Sequence, residues 1–152
     1  MAIRQQLDDD VKAAMLAGDS LRVDTLRGLK SVILYADVAA RKHDSTGISD
    51  SEVLSLFAKE VKKRQESADL YIQGGSQVRA DKELAEKKII ESYLPEQLSD
   101  EDIISIIDEV ITSEDASGVQ AMGKVIAAVK TKVGNTADGS KVAQLVRQRL
   151  SL

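Results

Sequence analysis

Pro95 is the only proline in a chain of 152 residues, and it does most to limit the folds open to this sequence. Its ring has no N–H to donate and clashes with a preceding helical turn, so a helix reaching it from the N-terminal side must stop. Four residues on, Ser99 is followed by Asp100, Glu101 and Asp102. That is a helix start: a hydroxyl N-cap with acids in the first turn, where the helix dipole favours them. One helical unit therefore ends near Leu94 and another begins at Ser99. The break predicts an N-terminal domain over residues 1–94 and a C-terminal domain over 95–152. The second holds roughly 55 residues, near the lower limit for independent folding.

On either side of this break the apolar residues recur at helical spacing. Ile3, Leu7, Val11, Ala14 and Met15 mark a first helix, closed by Ala17-Gly18-Asp19-Ser20. Leu26, Leu29, Val32, Ile33 and Ala36 form the buried stripe of a second, from about Leu21 to Arg41, followed by a polar loop from Lys42 to Thr46. Ser49-Asp50-Ser51-Glu52 has the pattern of a capping box and starts a third helix. Val53, Phe57, Val61, Ala68 and Ile72 lie on its apolar side, and Gly74-Gly75-Ser76 ends it. A fourth helix spans about Val78 to Tyr93, with Ala85, Ile89, Ile90 and Tyr93 inward. After the proline, Ile103, Ile104, Ile107, Val110 and Ile111 carry a fifth helix. Val119, Met122, Val125, Ile126, Val129 and Val133 carry a sixth, and Val142, Leu145, Val146 and Leu150 a seventh. No segment alternates at period two. The expected fold is all-α: a four-helix N-terminal domain followed by a small three-helix bundle.

Composition removes several function classes. There is no cysteine, so disulfides, thiolate metal sites and a cysteine nucleophile are out. The one histidine, His43, stands in the polar loop between Lys42 and Asp44 and reads as surface. No metal or cofactor motif and no phosphate loop is present, so no catalytic residue is assigned. Aromatic residues make up 3% of the chain, too few for base-stacking platforms. A net charge of −4 argues against a dedicated DNA-binding domain. No apolar run is long enough to span a membrane. Met1-Ala2-Ile3-Arg4-Gln5 lacks the apolar core of a secretory signal, and Asp8, Asp9 and Asp10 disfavour a transit peptide, so the expected location is cytoplasmic.

Three sets of charged residues stand out. Arg64 projects among Val53, Phe57 and Ala68, Glu86 among Ile89, Ile90 and Tyr93, and Arg22 falls on the apolar side of the second helix. Unpaired charges in a core are costly, so these groups should meet each other or water. They form either an interior ion pair that fixes helix register or a polar pocket for a ligand or for catalysis. Lys59, Lys62 and Lys63, beside Arg64, form a basic run balanced by Glu60, Glu66 and Asp69; it is a solvated face or a phosphate-contacting patch. In the C-terminal part, Lys124, Lys130, Lys132, Lys141 and Arg147 form a second basic set. Lys132 and Lys141 bracket the Gly134–Gly139 loop, which feeds a helix N-terminus able to receive a phosphate.

The motifs Asp19-x-x-Arg22-x-x-x-Leu26-Arg27, Lys59 to Ser67, Glu83-x-x-Glu86, Tyr93-Leu94-Pro95-x-Gln97-Leu98, Met122-Gly123-Lys124-Val125 and Asp138-Gly139 follow one another along nearly the whole chain. In this order and spacing the sequence resembles the YqeY (GatB/YqeY) family. The resemblance implies a helical N-terminal domain and a three-helix tail. It also implies a tail similar to the one on the B subunit of the glutamine-dependent tRNA amidotransferase and on some glutaminyl-tRNA synthetases, where it serves tRNA recognition. The family's usual label is carbon–nitrogen ligase with glutamine as amide donor. Nothing in these residues corresponds to the amidotransferase's catalytic cradle or glutaminase subunit. The expectation is a non-catalytic accessory protein that binds tRNA, alongside an amidotransferase or an aminoacyl-tRNA synthetase, with no cofactor. Participation in amide transfer through Arg22, Arg64 and Glu86 is one alternative, and a protein–protein adaptor without RNA is another.

Overall fold

The computed structural model describes residues 2–40 and 47–151, with the side chain of residue 151 excepted. His43, the Lys42–Thr46 loop and the expected end of the second helix at Arg41 lie outside the described residues. Among those described there are seven α-helices and no strand: α1 (Ile3–Leu16), α2 (Ser20–Ala39), α3 (Asp50–Gln73), α4 (Gln77–Glu91), α5 (Asp100–Ser113), α6 (Met122–Val133) and α7 (Gly139–Ser151). Single 3-10 turns at Val119–Ala121 and Gly134–Thr136 flank α6. The chain divides into two compact units, Met1–Leu94 and Pro95–Leu152.

In the first unit, α1 and α2 form an antiparallel pair, tied by Lys30–Asp8 at 2.5 Å and by Arg4–Asp37 at 2.9 Å. Asp19 caps α2 by accepting from the Arg22 backbone N–H at 3.1 Å. Ser49 starts α3 with a reciprocal capping box: its hydroxyl accepts from the Glu52 N–H at 3.2 Å, and the Glu52 carboxylate accepts from the Ser49 N–H at 2.7 Å. The entry to α3 is bound back to α2, since Asp37 takes both Arg4 nitrogens and the Ile48 N–H. Gly47 packs directly against this knot with φ +60°. A methyl group there would come within 2.5 Å of the Asp37 carboxylate and 2.6 Å of the Arg4 guanidinium. The position therefore demands glycine both for its backbone and for its space. Leu7, Leu26, Leu29, Val53, Phe57 and Ile90 form the centre of an aliphatic core, with the Tyr93 ring set edge-on to Phe57 at 5.8 Å.

Several residues leave the stripes assigned to them. Met15 is 54% exposed and Ile72 50%. Met15 and Ile72 each fall in the last turn of their helix and at the edge of its stripe, turned away from the buried face. Val119, expected on the sixth helix, is 65% exposed in the preceding 3-10 turn, whose tighter winding turns it away from the α6 stripe.

In the second unit α5 and α7 run parallel, since Asp100 pairs with Lys141 at 2.6 Å and Asp108 with Arg149 at 2.8 Å. The short connections on either side make α6 antiparallel to both. Ile103, Ile107 and Val110, Val125, Val129 and Val133, and Val142, Leu145 and Val146 fill the space between the three helices. Ser99 caps α5, accepting from the Asp102 N–H at 3.1 Å. The segment after Pro95 is stitched to the α6–α7 connection: Leu98 N–H donates to the Thr136 carbonyl at 2.7 Å, and the Gln97 amide donates to those of Pro95 and Asn135 at 3.0 Å.

Candidate functional site

The interior of the first unit holds a charged cluster between α3 and α4. Arg64 donates through Nε to Glu86 at 2.9 Å and through Nη1 to Glu60 at 2.8 Å, and Glu83 lies at 3.8 Å. Glu60 is 8% exposed. The sequence sets it with Glu66 and Asp69 on a solvated face, whereas it belongs to the interior. On a helix turning about 100° per residue, Glu60 falls roughly 20° from Val53, so it lies in the middle of the apolar stripe. Two i, i+4 contacts, Glu60–Arg64 and Lys87–Glu91, and the cross-pair Lys87–Gln65 at 2.8 Å extend the network along the hairpin.

Arg22 is placed apart from this cluster. No hydrogen bond or ion pair joins it to Arg64 or Glu86 among the described residues; it is half-buried, and its charge acts on Tyr93, just past the end of α4. The Tyr93 hydroxyl donates to the Asp10 carboxylate. Burial first, and then the Asp10 carboxylate, push the phenol well above its ordinary value, while the charge of Arg22 opposes them.

The cavity between α1 and α2 measures about 230 Å³ and is lined by Arg4, Leu7, Asp8, Lys30 and Ile33. It falls below the range of roughly 300–1,000 Å³ usual for small-molecule sites. The Lys30 ammonium beside Asp8 holds that carboxyl below its ordinary value. No group of three or more His, Cys, Asp or Glu among the described residues is arranged to hold a metal ion. Likewise, no described helix is long and apolar enough to cross a membrane.

Of the basic residues singled out on α3, Lys59 and Lys62 are exposed, and Lys63 reaches Glu60 at 3.3 Å. In the second unit, Lys124 pairs with Glu114 at 2.8 Å, which raises the ammonium above its ordinary value, and Lys141 pairs with Asp100. Lys130 and Lys132 stand exposed on the last turn of α6, and Arg147 is exposed on α7. The Lys130 side chain lies over the first residue of α7. A β-carbon added at Gly139 would sit 3.2 Å from Lys130 Cε and 3.4 Å from Nζ. Asp138 precedes it, its carbonyl accepting from the Val142 N–H at 3.0 Å.

Compared with known families, residues 4–150 match the family described as Yqey-like protein. The chain belongs to the YqeY family. Curated relatives carry the name "Altered inheritance of mitochondria protein 41, mitochondrial". The protein of Kluyveromyces lactis is 29% identical over 126 residues, which cover 78% of this chain and 66% of the relative. Those of Vanderwaltozyma polyspora and Lachancea thermotolerans are each 31% identical over 88 residues, covering 58% of this chain and 46% of the relative. The chain thus matches between about half and two thirds of the length of these relatives.

These names correct the cytoplasmic expectation, because they point to mitochondria instead. That expectation rested on a leader not being visible in the first ten residues, and such an absence carries no location.

Within this YqeY-family chain, the motifs behind the resemblance largely hold the fold together. Asp19 caps α2, and Glu83 and Glu86 both face Arg64. Tyr93 holds Asp10, while Gln97 and Leu98 bind the turn before α7. Met122 packs on the second core, and Asp138 begins α7. Both Glu60 and Ala80 are buried. The apolar stripe of α3 runs through Glu60, whereas Ala80 falls on the opposite side of α4 from the stripe of Ala85, Ile89, Ile90 and Tyr93, which therefore gives no signal for it.

Proposed function

We propose that this YqeY-family chain is a non-catalytic helical accessory protein that contacts tRNA through residues 95–152, alongside a tRNA-dependent amidotransferase or an aminoacyl-tRNA synthetase. In this reading, residues 1–94 form a four-helix domain. Residues 95–152 form a three-helix domain similar to the amidotransferase B-subunit tail. The observation that carries it is the position of Lys130. Its ammonium lies against Gly139 at the start of α7, where backbone N–H groups and the helix dipole also favour an anion, and Lys132 adds a second exposed charge on the same turn of α6. Lys124 and Lys141 are already engaged by Glu114 and Asp100. They contribute less to a phosphate than Lys130 and Lys132, because an incoming phosphate must compete with those carboxylates. The lack of stacking aromatics favours backbone and shape contacts, which carry little base specificity.

The test is a titration of total tRNA at several salt concentrations with the wild type and with the double variant Lys130→Ala/Lys132→Ala. Each phosphate contact contributes roughly 0.7–0.9 to the slope of log affinity against log salt, so the double variant should bind more weakly with a slope flatter by about 1.5. Wild-type protein that fails to bind tRNA at low salt would instead support an adaptor that works without RNA. Binding lost only on replacing Lys59, Lys62 and Lys63 would move the contact to the first unit.

A further inference from the structure

The base and the tip of the α3–α4 hairpin are held by different forces. The apolar core of the first unit takes Val53 and Phe57 from α3 and Ile90 from α4, with Leu56, Val61 and Ile89 packed against it. Between Val61 and Ile89 the hairpin adds no member to that core. From Val61 to its end at Gln73, α3 continues for about 18 Å at a rise of 1.5 Å per residue. Over this length the buried hydrophobic side chains are Ala68 and Ala80, which remove little apolar surface from water. Leu70 and Val78 stand 66% and 83% exposed near the tip.

Polar rungs hold the two helices of the hairpin together instead. Arg64 grips Glu60 and Glu86 at the base, Gln65 and Lys87 pair at 2.8 Å, and the Arg79 guanidinium lies 5.9 Å from the Tyr71 ring centre near the tip. The outer rungs are exposed or half-exposed, where such contacts stabilise little. The base is different. Side-chain exposure there is 10% for Glu60, 17% for Glu86 and 23% for Arg64. Removing the arginine would leave partly buried carboxylates without their counter-charge.

We propose that residues 62–88 form an arm that opens as a unit of its own, with Arg64 and its carboxylates as the latch at its base, while α1, α2 and the start of α3 stay folded. Elements with few buried apolar contacts sit at the low end of local stability, and helical hairpins open as cooperative units. The arm meets both conditions, and the latch stands where the apolar core gives out.

Hydrogen–deuterium exchange on the full chain tests this. Amides of residues 65–88 should exchange through openings that leave those of Leu26 and Leu29 protected. Arg64→Gln should speed exchange in the arm by roughly 10- to 100-fold, as expected for losing hydrogen bonds between charged groups, and leave α2 unchanged. Ala68→Gly lies beyond the latch and perturbs less, so it serves if Arg64→Gln fails to fold. It should raise exchange in the arm about fivefold, the cost of glycine inside a helix, and nowhere else. Arm amides as protected as those of α2, or a variant that speeds arm and α2 alike, would show one cooperative unit and overturn the proposal.

Discussion

At the scale of single residues, Tyr93 ties packing to pH. Its phenol is raised by burial and by Asp10, so the folded chain keeps a proton that the unfolded chain gives up near pH 10. The stabilisation is therefore complete below pH 10 and drains away as pH climbs through the folded value above it. Urea midpoints at pH 9 and pH 11 should fall further in the wild type than in Tyr93→Phe, which has no phenol to ionise; equal falls would place the alkaline sensitivity elsewhere. The same residues show what a helical wheel can and cannot reveal. It brought Arg64 and Glu86 to facing sides of α3 and α4, and they meet at 2.9 Å. It also grouped Arg22 with them, yet among the described residues no hydrogen bond or ion pair joins Arg22 to either, and its charge acts on Tyr93 instead. A wheel gives the direction of a side chain around an axis and nothing of its height along it. Arg22 sits in the first turn of α2, and its charge acts on Tyr93, just past the end of α4, rather than on Glu86.

At the scale of elements, starts and stops were the most legible features, because each is set by a local contact. Ser49 and Glu52 bond each other's backbone, and Ser99 caps α5, as their spacing implies. Ser49→Ala should cost about 1 kcal/mol, read as a lowered urea midpoint, whereas Ser49→Asp should restore most of it. No change on losing the hydroxyl would mean that Asp37, which holds the neighbouring Ile48 N–H, fixes the start of α3 alone. Burial near helix ends was less legible. Met15 and Ile72 keep the period of their helices but fall at the edge of the buried face, in the last turn. Periodicity shows which face is apolar, whereas the extent of cover depends on how far each neighbour reaches.

At the scale of the whole molecule, the all-α class followed from period and punctuation, since one proline and a few glycine-bearing turns account for the breaks between helices. The charge pairs joining distant stretches, such as Asp108–Arg149 and Arg4–Asp37, had no local signal to announce them. The second unit has a small core, so it should tolerate little loss. Ile107 is fully buried in it, and Ile107→Ala should remove roughly 2–5 kcal/mol. Limited proteolysis of the full-length variant should then degrade residues 95–152 and leave a resistant fragment ending near Leu94. Even digestion of both halves would show that they fold as one.

Phe57 and the three tyrosines, Tyr35, Tyr71 and Tyr93, all precede Pro95, and the chain has no tryptophan. The core of the second unit consists of isoleucine, valine and leucine. Near-ultraviolet absorption and circular dichroism are therefore blind to it. A melting curve followed at 280 nm reports residues 1–94 alone, and the second unit would come apart unseen unless the far-ultraviolet helix signal or methyl resonances were followed beside it.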